Sequence, residues 1–456
     1  MRLIAKYVKE KADVFEIHTV YEEQTRIEKV SKSHPLTQTL SRKHPGAIWF
    51  ERKISDDFGI VFEDGYDKRP LLHHERFPRN LHPMRKGFTQ KVIEFGEYLP
   101  YKYEAVRGDG VFQVSVGPIH AGIIEPGHFH FSQAGEGILH QEVRHFYKYR
   151  GIEKMLEGKS LAQAAPIVAR ISGNESIAYQ IAFRDIVAQA GRMTLPAPLK
   201  RYHAFLLELE RVIHHLTDLG FIPNDAGFGA ALAIGSKLAE EGRREMKLLC
   251  GHRFGFDAIA WENGFKESTP HHRWIHSLFE QIGFFEEWIA NIPSLWDRFD
   301  TTGILTHAQA LKYDTVGVIA RASGVAVDRR EKDPFYLDHG FKISMLEGGD
   351  VSDRFKLRLM EIHTSLSMMR NFIDETPAKV EVGEIADGEY TGAVESSIGE
   401  LFMAVEIKEG VIERFYVRDP SFINWQALHL MMPDNIIADF PLINKSCDLS
   451  YAGNDL

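Results

Sequence analysis

Histidines and carboxylates recur in this chain at spacings that suit proton movement. Glu210, His214 and Asp218 stand four residues apart, so a helix would line them along one face. Such a row can relay protons, or it can serve as a polar stripe that holds neighbouring helices. In the segment VGPIHAGIIEPGHFHFSQAGEG, His120, Glu125, His128 and His130 surround the turn-forming Pro126-Gly127 pair. A bend of this kind can bring a carboxylate and imidazoles together and perturb their pKa values, although it can equally be structural. The 22 histidines include adjacent pairs at His73-His74, His214-His215 and His271-His272. Neighbouring helical side chains diverge by about 100° and no H-E-x-x-H occurs, so these pairs read as structural rather than metal-binding.

Other chemistries are excluded by what is scarce. The 456 residues contain only two cysteines, Cys250 and Cys447. That is too few thiolates for a disulfide framework, a cysteine-built zinc site or a self-contained iron-sulfur cluster, and it indicates a reducing compartment. With 54 Lys+Arg against 64 Asp+Glu the net charge is −10. No basic tract interleaved with aromatics is present, so nucleic acid is not an expected partner. No stretch approaches the roughly 18 uninterrupted apolar residues of a membrane span, and any membrane role must come through partner subunits.

The elements that position these residues divide into two units, an α+β fold overall. Residues 1–90 read as a small α+β domain. In it VFEIHTVYEE alternates as a strand, SHPLTQTLSRKHPGA is expected to be a turn with a short helix, and AIWFERKISDDFGIVFEDG continues as helix and turn. The Pro-, His- and Arg-rich YDKRPLLHHERFPRNLHPMRKGF marks the boundary as an extended segment. Residues 91–456 form a large, mainly helical bundle with peripheral strands. YEAVRGDGVFQVSVGP is expected to be a strand pair turning at Gly-Asp-Gly. Apolar residues three and four apart predict helices over ILHQEVRHFYKYRGIEKMLEG, ESIAYQIAFRDIVAQAG, LKRYHAFLLELERVIHHLTDLGF, ALAIGSKLAEEGRREMKLLCG, SLFEQIGFFEEWIANI and DRFKLRLMEIHTSLSMMRNFID. GAVESSIGELFMAVEIKEGVIERFYVR reads as a C-terminal hairpin or meander.

Read in order, several of these stretches resemble one family. FERKISDDFGIVFEDG with HPMRKGF is similar to the 30-kDa subunit of respiratory complex I, here shortened. VGPIHAGIIEPGHFHF, HFYKYRGIEKMLEGK, LELERVIHHLTDLGFIPNDAG, IARASGVAVDRR, VESSIGEL and VRDPSFINWQAL resemble the complex I 49-kDa subunit and the large subunit of energy-converting nickel-iron hydrogenases. The resemblance implies a hydrogenase large-subunit-like fold and an oxidoreductase role in a membrane-associated, complex I-like assembly that couples electron transfer to ion translocation. It implies as partners an iron-sulfur small subunit carrying a [4Fe-4S] cluster and antiporter-like membrane subunits, with this chain on the cytoplasmic face of the cell membrane. It also implies that ALHLMMPDNIIADFPLINKSCDLSYAGNDL is retained and packed.

The departures from that pattern bear on function. The family's nickel-iron ligands are four thiolates, and here RISGNES places Ser172 and Glu175, and DPSFINW places Ser421 and Asn424, at those positions. Hard oxygen and amide ligands do not replace thiolates in such a centre, so no metal or cofactor is expected on this chain and hydrogenase activity of the usual kind is not. A quinone is the alternative ligand, yet Gly173 stands where the family's quinone-binding tyrosine would be, and His128 is the stand-in for its histidine. The resemblance makes the cavity wall His120, Glu125, His128, Arg170, Glu175, Asp419 and Ser421. Glu125 or Glu175 is the expected proton-exchanging group, the latter beside Arg170. A purely structural subunit and a thiolate-free iron or zinc site on His120, His128, Glu125 and Glu175 are the remaining readings.

Overall fold

The computed structural model describes residues 1–456 except 91, 105, 121–123, 260–271, 373–379 and 381, and the side chain of residue 272. The His271-His272 pair therefore lies outside the described side chains.

The N-terminal unit opens with an antiparallel sheet of β1 (Leu3–Glu10), β2 (Val14–Tyr21) and β3 (Thr25–Ser31) in that order. The segment expected to be a turn with a short helix holds both, a turn followed by a 3-10 helix over Pro45–Ala47, and adds a three-residue strand, β4 (Leu36–Gln38), which pairs in parallel with β5 (Val61–Glu63). Helix α1 (Ile48–Phe58) lies between them and ends at Gly59, whose φ of 69° suits a left-handed cap.

The second unit begins with β6 (Val111–Val116), β7 (His128–Ala134) and β8 (Gly137–Arg144), an antiparallel sheet in chain order. Two expectations are corrected here. The Gly-Asp-Gly cluster does not turn a strand pair, because β6 takes β7 as its partner. Residues 138–144 are a strand rather than a helix. Their side chains pair across to β7, and a helix forms only at α2 (Ile152–Leu156), after Gly151 at φ 69°. Ile138, Gln141 and Arg144 are buried there, so spacings of three that suit a helix are met in a strand with an irregular register at Ser132/Gln133.

The bundle follows, with α3 (Leu161–Val168), α4 (Ser176–Ala190), α5 (Ala197–Asp225), α6 (Gly229–Cys250), α7 (His272–Ala290), α8 (Pro293–Phe299), α9 (His307–Lys312), α10 (Gly317–Ala322), α11 (Pro334–Asp338) and α12 (Val351–Asn371). Its centre is α5, in which residues 202–216 are buried without a break. Helix α6 packs against it at a crossing of two glycines: a Cβ on Gly235 would lie 2.7 Å from the Gly220 Cα. Side chains there would force the axes apart. The meander β9 (Gly388–Glu395), β10 (Glu400–Lys408) and β11 (Val411–Arg418) lies on α4, and α13 (Pro420–Asn424), α14 (Phe440–Cys447) and α15 (Tyr451–Asp455) close the chain. This tail is packed in the core: Leu442, Ile443 and Cys447 are fully buried.

One continuous apolar core runs from Leu3 to Leu456, so the two units share an interior. Tyr7 of β1 stacks on Tyr416 of β11 with ring centroids 4.6 Å apart. Arg418 donates to the Ile4 carbonyl (2.9 Å) and to Glu400 (2.8 Å), and Arg2 donates to both oxygens of Glu400 (3.1 and 2.9 Å). Burial alone would raise the Glu400 pKa, but Arg2 and Arg418 bring it down to about 2. Removing that charge would leave the buried Arg418 without its counter-charge and Arg2 with only the longer pair to Glu22, so Glu400→Gln is expected to destabilise the protein by ~3–5 kcal/mol. Urea unfolding at neutral pH checks this, with Glu406→Gln, at a half-exposed pair with Lys11, changing stability by less than ~1 kcal/mol.

Candidate functional site

The residues brought together lie where α5 meets the N-terminus of α4, the turn before β10 and the start of the C-terminal tail. The turn after α3 buries Ile171, Ser172 and Glu175 and leaves Arg170 facing out. Glu175 is fully buried. One of its carboxylate oxygens accepts from the Ser397 hydroxyl, and the other has no protein hydrogen-bond partner. Ser397 Oγ in turn lies 2.6 Å from His214 Nδ1, and His214 Nε2 contacts Asp448. Asp448 also takes the ammonium of Lys445, which sits 3.6 Å from Asp218, while Asp218 accepts from Arg358 Nε at 2.7 Å. A continuous buried chain thus runs Glu175, Ser397, His214, Asp448, Lys445, Asp218, Arg358.

Charge along this chain follows from its partners. Burial would discharge His214, but Asp218, Asp448 and Glu175 raise its pKa to about 10. Both ring nitrogens therefore carry protons at neutral pH, and Nδ1–H donates to Ser397, whose own proton goes to Glu175. Asp448 is held well below the carboxylate range, against the cost of burial, by Lys445 and His214. Burial and the nearby Asp448 charge push Asp218 up to about 6. Glu210, one turn before His214, accepts from the first backbone N–H groups of α4, at Ile177 (2.7 Å) and Ala178 (3.1 Å). Burial and the charge of Glu175 still place it well above the usual range.

On the other side of Glu175, Asp419 accepts from the Tyr179 hydroxyl at 2.6 Å and from the Ser421 backbone N–H at 2.8 Å. Burial and Glu175 raise it to about 6. The Ser421 hydroxyl accepts from the Ser450 N–H at 2.8 Å, and Ser172 Oγ lies 3.4 Å from Ser450 Oγ. Asn424 is fully engaged in a two-way clip to the Val316 backbone at 3.0 and 3.1 Å.

Of the residues expected in the wall, the structure unites Glu175, Asp419 and Ser421. Arg170 is corrected: it does not neighbour Glu175 but pairs with Asp257 at 2.6 Å on the surface. Glu125 is corrected likewise. It lies half-exposed in a pair with Lys148 and touches none of the buried chain. His120 bonds the Gly127 carbonyl at 2.7 Å, and His128 bonds the Gly117 carbonyl at 3.3 Å and sits beside the Tyr103 ring. Both stabilise the turn into β7, and they do not converge with Glu125 and Glu175 on one point. That turn abuts Tyr451 and His145, one residue from Ser450. The row Glu210, His214 and Asp218 does belong to the site. Its partners Ser397, Lys445, Asp448 and Arg358 carried no signal in the sequence. His215, adjacent to His214, faces a different network through Glu361 at 2.9 Å.

The donor set can be compared with metal chemistry. The thiolate positions hold two hydroxyls, a carboxylate and a committed amide. The two cysteines lie elsewhere, Cys250 at the end of α6 and Cys447 at the end of α14. These residues do not fit a nickel-iron centre. Ligand atoms of His214, Asp218 and Asp448 lie within 4.8 Å of one another, but Lys445 and Arg358 already supply their positive charge.

Fold and site together define an α+β protein with a chain of buried charged groups, and no thiolate among its members. Residues 6–92 match the family model of the respiratory-chain NADH dehydrogenase 30-kDa subunit, and residues 261–384 and 380–455 match that of the 49-kDa subunit. The chain is 27 % identical to formate hydrogenlyase subunit 5 of Escherichia coli over 93 % of its own length and 78 % of the relative's. It is 27 % identical to hydrogenase-4 component G of Escherichia coli over 91 % of the chain and 75 % of the relative. It is also 26 % identical to the carbon monoxide-induced hydrogenase of Rhodospirillum rubrum over 74 % of the chain and 97 % of the relative. The chain belongs to the family of complex I 49-kDa subunits and related hydrogenase subunits, fused to a 30-kDa-type domain. It is a complex I-like, hydrogenase-related oxidoreductase subunit. No helix among its described residues is long and apolar enough to cross a membrane.

Because the folded-state pKa of His214 is raised from 6.5 to about 10, its contribution to stability is complete below pH 6.5 and is lost as pH rises through 10. His214→Gln is expected to cost ~3 kcal/mol at pH 6. The gap to wild type should narrow steadily toward pH 10, as read from unfolding midpoints across that range.

Proposed function

We propose that this chain is the large subunit of a membrane-associated, complex I-like assembly that couples electron transfer to ion translocation without a nickel-iron centre. The observation that carries this reading is the replacement of the thiolate positions by Ser172, Glu175, Ser421 and Asn424, backed by the buried charge chain from Glu175 to Arg358. Partners of the relatives' kind would be an iron-sulfur small subunit and antiporter-like membrane subunits, with this chain peripheral at the inner face of the membrane. The partner's [4Fe-4S] cluster would supply the electron.

The residues of this chain would hold and move the proton. Asp419, at about 6, changes protonation in response to a small change in nearby charge, because one unit of pKa is worth about 1.4 kcal/mol. Glu175 lies between Asp419 and the protonated His214. A change of charge at Asp419 is felt at Glu175, alters its hold on Ser397 and His214 and shifts the balance at Asp448 and Lys445. Charge at the cluster side is thereby expressed about one helix width away, at Asp218 and Arg358.

A quinone-reducing role is the alternative, and a headgroup would need room that the cavity beside this network does not offer. The cavity that touches the network has a volume of about 50 Å³, whereas ligand pockets run to about 300 Å³ and more. A structural role is favoured by one observation: Asn424 and Ser421 are both spent on tying backbone segments together.

Plasma mass spectrometry and EPR on the native complex separate the first alternatives. Iron accounted for by partner clusters with no nickel is expected, and nickel near one per large subunit would restore hydrogenase chemistry. Glu175→Gln is expected to leave the complex assembled and to lower coupled turnover about 10²-fold. Unchanged turnover would assign the subunit a structural role.

A further inference from the structure

The cavity beside the charge chain has its own composition. It is a half-open pocket between α5, α6, the turn before α4 and the C-terminal tail, with a volume of about 50 Å³. That is room for one or two water-sized particles. The groups around it are His214, Lys445, Arg243 and Arg253, opposed by Asp448 and Glu210. Asp448 is already shared between His214 and Lys445, and Glu210 is occupied by the α4 N–H groups. Arg253 pairs outward with Glu240.

Arg243 differs from these. It is half-buried and donates to Thr217 Oγ1 at 3.0 Å, a hydroxyl whose own proton goes to the Ile213 carbonyl. Among the described residues no carboxylate forms an ion pair with it. Burial, and then the charge of Arg253, depress its pKa against a smaller opposing pull from Glu240. A partly desolvated guanidinium facing a second arginine, a lysine and an imidazolium has an unmet demand for negative charge.

We propose that this cavity binds a small monovalent anion, a halide or a carboxylate of formate size, held by the Arg243 fork with Lys445 and His214 behind it. Arg243 presents two N–H groups in a plane, the geometry that suits such an ion. The anion would supply the counter-charge that Arg243 lacks among the described residues, His214, Lys445 and Arg253 having carboxylates of their own. The site stands on its geometry and does not rest on redox coupling, and binding is measured without turnover, so the two fail separately.

The test is diffraction from crystals of the full chain, alone or in its native complex, soaked in sodium bromide and measured at the bromine edge. It is paired with bromide titration in solution at constant ionic strength set by gluconate, an anion too large for the cavity. One anomalous peak within the cavity is expected. Arg243→Gln should weaken bromide binding at least tenfold, and Arg243→Lys, which keeps the charge but not the fork, should weaken it less. Displacement of bromide by formate would assign a carboxylate, and failure to displace it would assign a halide. Bromide only at the outer surface, or equal titration of wild type and Arg243→Gln, would overturn the proposal.

Discussion

Burial of residues 202–216 of α5 without a break imposes one requirement on this molecule: the charged side chains there must find partners, most of them on neighbouring elements. Glu208 meets Arg330, Tyr336 and Ser365, and Glu210 meets the N-terminus of α4. Arg211 donates to the carbonyls of Glu395 and Ser396 at the end of β9, His214 meets Ser397 and Asp448, His215 meets Glu361, and Asp218 meets Arg358. An unpaired buried charge costs several kcal/mol, so these partners must arrive together. The bundle is thereby tied to one register around α5, and the charge chain is a product of that packing.

The N-terminal domain takes part in the same constraint. Arg418 reaches back to the Ile4 carbonyl, and Asp419 and Ser421 follow it directly in the chain. Docking of β1 on β11 therefore fixes the height at which the α13 turn presents Asp419 to Tyr179 and Glu175. Fusion of a 30-kDa-type domain to a 49-kDa-type domain here means a shared core and a shared set of buried ion pairs.

The positions that the resemblance matches to thiolates carry organised polar chemistry. Ser172, Ser421 and Ser450 form a hydroxyl cluster on one side of Glu175, and Ser397, His214 and Asp448 lie on the other. One carboxylate thus faces a carboxyl group raised to about 6 on one side and an imidazole raised to about 10 on the other. That asymmetry is what a buried group needs if a change of outside charge is to move a proton in one direction.

By itself the sequence determined the helices of the bundle, the C-terminal meander and the family pattern. Each is written in local periodicity or in residues adjacent along the chain: the apolar spacing of α4, α5, α6 and α12, and the Ser and Glu at 172 and 175. It also placed Glu210, His214 and Asp218 on one helical face. It misread residues 138–144, where burial three apart is compatible with a helix and with an irregular strand, and only pairing to β7 decides. The resemblance placed Arg170 and Glu125 in the wall, whereas the structure pairs them with Asp257 and Lys148 away from the buried chain. Tertiary structure alone decided which groups answer His214, since Ser397 and Asp448 lie 183 and 234 residues away. Coulomb interactions and hydrogen bonds depend on distance in space, and no local pattern records which distant carboxylate a buried imidazole will meet.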